Sequence, residues 1–187
     1  MADHRGVGLT RERIAQAAVE VGFDDLSMVA VAKHLGVSGP ALYYHFDNQA
    51  ELVRAAIGRV IAMAPEPLAN PGSIAELVHS EAENMLATIE NHPGIVAAAA
   101  ETILRRPPEI EDRTAQLAYR VRALGIAEVA VPVVAGLMDF LLFQLLRGHR
   151  TDDGGEMLAQ RGIKLKILTA GFEALIESGD PAPDSGR

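Results

Sequence analysis

The chain has 187 residues, no cysteine and a formal net charge of −8. A 49% hydrophobic composition can fill a real core and excludes global disorder; the lack of cysteine excludes disulfides and thiolate metal sites and suits a reducing cytoplasm. The opening MADHRGVG has no apolar signal-peptide stretch, so a cytoplasmic location is expected.

In chain order, residues 1–9 are polar and glycine-bearing and read as an arm. Thr10 is a good N-cap, and Ile14, Ala17, Ala18 and Val21 give helix 1 one apolar stripe that Gly22 ends. Phe23 and Leu26 then belong to a small core shared with helices 2 and 3. Met28, Val31, Ala32 and Leu35 fall on one face of helix 2, with Ser27 as its cap. Gly36 supplies the left-handed residue that closes it. Ser38 caps helix 3, and Pro40 sits early in that helix, where a missing N–H costs little. Ala32, four residues before Gly36, is small enough for two helices to cross closely, and Val37 and Leu42 plug the angle between them. A helix, a glycine-containing turn and a second helix form the supersecondary pattern of DNA-binding proteins.

Asp47 is expected to cap helix 4, whose face is Val53, Ala56, Ile57 and Val60. MAPEPLANPG (residues 63–72) marks a boundary. Ser73 and Glu76 form a capping box that opens helix 5, which runs to about Glu90 before Asn91-His92-Pro93 breaks it. IVAAAAETILRR is helix 6, closed by Pro107-Pro108, and helix 7 follows from Glu109 to Leu124. Helix 8 starts between Ala127 and Pro132 and ends near Arg147-Gly148. After the Asp152–Gly155 loop, helix 9 spans Glu156–Glu177, with Leu158, Leu165, Leu168, Phe172, Leu175 and Ile176 on its apolar side. No strand pattern appears. The fold expected is all-α: a three-helix helix-turn-helix domain with linking helix 4 over 1–62, a helical bundle for ligand binding and dimerisation over 63–178, and a disordered tail over 179–187.

The apolar run Val129–Leu146 contains Pro132, Gly136, Asp139 and Gln144, and an aspartate near a bilayer centre costs several kcal/mol. A helix covered by its own core and a partner subunit explains the run without that cost. With helix 9 it can form a four-helix interface by two-fold symmetry, making a homodimer through helices 8 and 9. Two readers roughly 34–36 Å apart, or a small multiple of that, then match a palindromic site.

Thr10 through Ala56 resembles the N-terminal domain of TetR-family transcriptional regulators. The likeness lies in a first helix ending in VGFDDLSM, then VAKHLGVSGPALYYHF, then a helix opening with DNQAELV. Beyond that stretch it extends only to length and helical character. By this resemblance Tyr43 and His45 are phosphate-contacting positions and Tyr44 lies nearer the bases. Pro40 and Ala41 are small apolar groups suited to thymine methyls. The candidate DNA-binding set is Ser27, Ser38, Gly39, Pro40, Ala41, Tyr43, Tyr44, His45 and Gln49. Two positions depart from the family: Gln49 stands where a lysine usually reaches a phosphate, and Val29 where an arginine is frequent. Residues 1–62 hold six basic side chains against seven acidic ones, with Arg5, Arg11 and Arg13 clustered where an arm can reach phosphates.

None of the six histidines forms an i, i+3 or i, i+4 pair, no HExxH occurs, and no serine sits in a GxSxG setting. No metal, cofactor or catalytic site is therefore expected. Met85, Ile89, Ile103, Leu117, Met138, Phe140 and Phe143 are candidates to line an apolar cavity between helices. The resemblance implies that a ligand there shifts the spacing of two readers and releases DNA. The resemblance thus implies a homodimeric repressor released from a palindromic operator by a small apolar effector. The alternative, motivated by Gln49, Val29 and the reader's charge, is a ligand-binding or scaffold protein with a weakened reader.

Overall fold

The computed structural model describes residues 8–65, 68–102, 108–146 and 156–177, with the backbone alone at 101–102, 108, 139–146, 156–162, 164 and 175–177. Among the described residues the chain is helical, without strands: α1 (Arg11–Val21), α2 (Met28–Leu35), α3 (Gly39–Tyr43), α4 (Gln49–Met63), α5 (Ile74–Asn91), α6 (Ile95–Thr102), α7 (Pro108–Ala123), α8 (Val131–Leu146) and α9 (Glu156–Glu177). The all-α expectation holds. No helix among the described residues is long and apolar enough to cross a membrane.

Local chemistry sets most of the helix ends. Thr10 Oγ1 accepts from the Arg13 N–H at 3.3 Å, and Ser27 Oγ accepts from the Ala30 N–H at 3.1 Å. Gly36 closes α2 at φ 67°, ψ 30°, a left-handed conformation that a Cβ would disfavour. The cap of α4 differs from expectation. Asn48, not Asp47, accepts from the Glu51 N–H at 2.9 Å, and the Glu51 carboxylate returns a bond to the Asp47 N–H at 2.7 Å. Asn48 has the extended backbone that an N-cap needs, and its amide oxygen reaches the first turn as well as a carboxylate does. The Ser73–Glu76 box forms: Ser73 Oγ accepts from Glu76 N–H at 3.1 Å, and Glu76 accepts from Gly72 N–H at 2.8 Å.

The chain divides into two compact units, and packing groups it differently from a cut at residue 62. One unit comprises Met1–Ala64 with Thr88–Glu111; the other comprises Pro65–Ala87 with Asp112–Arg187. In the first, Ile14, Ala18, Val31, Leu42, Phe46, Leu52, Ala56 and Ile95 belong to one buried cluster, and α4 packs against both α1 and α6. The α5–α6 turn belongs here too. The His92 ring meets Phe23 edge-on, with centroids 6.5 Å apart. Gly94, at φ 80°, lies so close to Asp24 that an added Cβ would collide with its carboxylate and crowd its backbone N.

In the second unit Leu77, Val78, Leu117, Val121, Val134, Met138 and Phe172 belong to another cluster. Glu81 and Arg120 are buried in this unit with 1% and 4% exposure. Glu81 pairs with Arg113 at 2.8 Å and, through its other oxygen, with Arg120.

Candidate DNA-binding interface

The reader is built by burying alternate sides of a very short helix. Leu42 (0% exposed) and Phe46 (1%) anchor α3 and the residues after it in the core. The turn continues past Tyr43: the His45 and Phe46 N–H groups both donate to the Leu42 carbonyl at 2.9 Å. With its two anchors fixed inward, this segment turns Tyr43 (57% exposed) and Tyr44 (89%) to solvent. Pro40 and Ser38 are also exposed, whereas Gly39, Ala41 and His45 are half-buried. Ser38 occupies the N-cap of α3, but its side chain makes no capping hydrogen bond. Six of the nine candidate residues thus lie within Gly39–His45, and Ser38 adjoins them.

Ser27 and Gln49 have other work. The Ser27 hydroxyl caps α2 from a half-buried position. Gln49 Nε2 donates to the Leu26 carbonyl at 3.0 Å, tying the start of α4 to the loop before α2. Val29 is 76% exposed, an apolar side chain on the outer face of α2.

Arg11, grouped by sequence with an arm for phosphates, stays half-exposed but is bonded to its own unit. Its guanidinium donates to the His45 carbonyl, pairs with Glu51 at 2.6 Å and lies 4.2 Å from the centroid of the Phe46 ring. One side chain so joins α1, the end of the reader and the start of α4. The hydrogen bond from Arg11, then that from the Asp47 N–H, holds the Glu51 carboxyl below its ordinary range. This role was missed because its partners lie 34 and 40 residues away. Arg13 also bonds locally, donating to the Gly8 carbonyl at 3.0 Å. Arg5 lies outside the described residues.

The apolar candidates do not assemble as one set. Leu117 and Met138 are buried in the second unit's cluster with Met85 packed against it, whereas Ile89 packs against the first unit's cluster. Ile103 and the side chains of Phe140 and Phe143 lie outside the described residues. Among the described residues, no group of three or more His, Asp or Glu could hold a metal ion.

Residues 11–56, the three short helices and the first half of α4, match the family model of bacterial regulatory proteins of the tetR family. This stretch is similar to the DNA-binding domain of the TetR family. Its curated relatives include an HTH-type transcriptional repressor of Mycobacterium tuberculosis and an uncharacterised HTH-type transcriptional regulator of Mycobacterium bovis. Each is 28% identical over 124 residues, covering 65% of this chain and 44% of the relative. The chain thus spans less than half the length of the curated relatives it matches, and these are named as regulators rather than enzymes. Among solved structures, BioQ of Mycobacterium smegmatis is similar at a TM-score of 0.71 and 22% identity, over 89% of this chain and 99% of BioQ. BioQ has also been solved with its double-stranded DNA operator. Apo ActR of Streptomyces coelicolor is similar at a TM-score of 0.72 and 18% identity, over 93% of this chain and 99% of ActR. At these identities the likeness establishes the fold. It extends well past residue 56, where the family model stops.

Proposed function

We propose that the protein is a homodimeric transcriptional repressor that holds a palindromic operator until a small apolar effector releases it. The observation that carries this reading is the split character of Leu42–Phe46. Two side chains are sunk in the core, while Tyr43 and Tyr44 stand out to solvent and the Ser38 hydroxyl makes no capping bond. Exposed aromatic hydroxyls at a turn suit phosphate and groove contacts, and they have no use in a plain helical corner. The repressor name of the mycobacterial relative and the operator-bound structure of BioQ support the same direction.

Dimerisation is supported by what one chain leaves uncovered. Val129, Val133 and Leu137 recur every four residues at 85%, 66% and 37% exposure, while Val131, Val134, Ala135 and Met138 of α8 are buried. On α9, which packs against α8, Ile163 and Ile167 are 59% and 67% exposed. A second copy set on these two stripes buries them and pairs two readers across a two-fold axis. An effector acts on this assembly only by binding one arrangement of the readers better than the other.

The test is selection of duplex DNA from a random pool, followed by gel-shift titration. A palindrome is expected, bound by two chains. Tyr43→Ala should weaken binding roughly tenfold or more on every selected site, whereas changes at Ala41 should alter the preference among sites. Unchanged affinity for Tyr43→Ala overturns the assignment. A second reading, a ligand-binding protein with a weakened reader, is favoured by Gln49 being committed to Leu26 and by the exposed Val29. Failure to select any sequence at low salt decides for it.

A further inference from the structure

Among the described residues of the second unit, one buried carboxylate faces two guanidiniums. Arg113 and Arg120, seven residues apart on α7, converge on the single carboxylate of Glu81 on α5. The side chains of Glu81, Arg120 and Arg113 are 2%, 5% and 16% exposed, so water screens this cluster poorly. Two guanidiniums against one carboxylate leave a surplus of one positive charge among the described side chains of this cluster. Arg120 spends Nη1 on Glu81 and Nε on the Gln116 carbonyl at 3.3 Å, while its buried Nη2 has no hydrogen-bond partner among the described residues. A buried charged donor left unmade is expensive enough to call for a reason. A trapped water could satisfy the N–H but not the charge.

We propose that Arg120 Nη2 receives the carboxylate of an amphipathic ligand, a monocarboxylic acid with an apolar body. This rests on the reading of the second unit as the effector-binding part and names the chemistry of that effector. One surplus charge and one open donor match a monoanion. The apolar requirement comes from the neighbours: Leu117, three residues before Arg120 on the same side of α7, is buried in a cluster with Met138, a side chain that adapts to irregular shapes. Leu77 and Val78 precede Glu81 by about one turn and belong to that cluster.

The experiment is calorimetric titration of the full chain with octanoate and with 1-octanol, a neutral probe of equal length. Octanoate is expected to bind at least about tenfold more tightly, the difference a charge-assisted hydrogen bond makes. Arg120→Met should lower octanoate affinity to that of octanol and leave octanol unaffected. This variant leaves Glu81 and Arg113 balanced one to one, so it should fold, as a circular dichroism melt can verify. Arg120→Lys, which keeps the charge and one bond to Glu81 but loses the fork, should lower octanoate binding as well. Equal affinity for the two probes, no binding of either, or undiminished octanoate binding by Arg120→Met overturns the proposal. None of these results touches the operator selection, which uses no ligand, so the DNA-binding reading fails or stands separately.

Discussion

Each unit holds an arginine–glutamate pair joining distant helices, and the two pairs differ in what they leave unused. In the first unit Arg11 is 49% exposed, and its guanidinium serves Glu51, the His45 carbonyl and the Phe46 ring. In the second unit Arg120 is 5% exposed, shares its carboxylate with Arg113 and has a buried nitrogen without a partner among the described residues. Water can complete the coordination of the first pair and has little access to the second. A saturated, half-exposed pair is a clamp; an unsaturated, buried one is a site awaiting an anion.

Breaking the buried cluster should produce the largest effect. Glu81→Ala leaves two guanidiniums facing each other without a counterion, and a loss of about 3–5 kcal/mol is expected in urea denaturation of the chain. A loss below about 1 kcal/mol, the range of exposed pairs, would show that the cluster is effectively solvated. Next comes Arg11→Ala, which removes an exposed ion pair and a cation–π contact and should cost about 1 kcal/mol. Because the His45 carbonyl loses its anchor, operator affinity should fall further than this stability loss explains. Gel shifts at a temperature where the variant remains folded separate the two effects.

A smaller effect is expected from pH, and it sharpens the comparison from the first unit's side. Burial pushes His92 below its ordinary value, so the folded chain binds fewer protons there than the unfolded one. Its contribution is full above about 6.5, the unfolded value, and is lost as pH falls through the lower folded one. The Glu51 carboxylate, held down by Arg11 and the Asp47 N–H, adds a loss of the same sign below about 4.3. Melting temperature should therefore drop between pH 7 and pH 5.5, and His92→Phe should flatten that drop. The smallest effect belongs to Glu128→Gln. Glu128 pairs with Arg122 at 2.6 Å, with side chains 72% and 49% exposed, and this pair lowers the carboxylate and raises the guanidinium in their affinity for protons. Solvent screens a pair so exposed, and no measurable change in melting temperature is expected.

Much of the fold was legible because its determinants are local. Thr10, Ser27, Gly36 and the Ser73–Glu76 box act on backbone groups within four residues of themselves, and each does what its spacing indicates. The burial of Leu42 and Phe46 beneath exposed tyrosines follows from helical periodicity. Where two neighbours competed for one local task, spacing was not enough: Asp47 and Asn48 both qualify as a cap, and backbone geometry selected Asn48. The Glu81 cluster had a sequence signal that went unused. Glu81 interrupts the apolar series Leu77, Val78, Ala82 and Met85, and the two arginines seven residues apart share a side of α7. A carboxylate within a core stripe demands a cation, and such a spacing can supply two.

By itself the chain's sequence determined that the protein is helical, where most helices begin and end, and which aromatic side chains the reader displays. Caps, glycine conformations and apolar periodicity act over a few residues, and their energies do not depend on what lies farther along. Only the tertiary structure decided that Arg11 bonds to Glu51 and the His45 carbonyl, that Thr88–Glu111 groups with the first 64 residues, that Ile89 and Leu117 belong to different cores, and that two arginines share one buried glutamate. Each of these depends on groups dozens of residues apart being brought together, and on whether water follows them there.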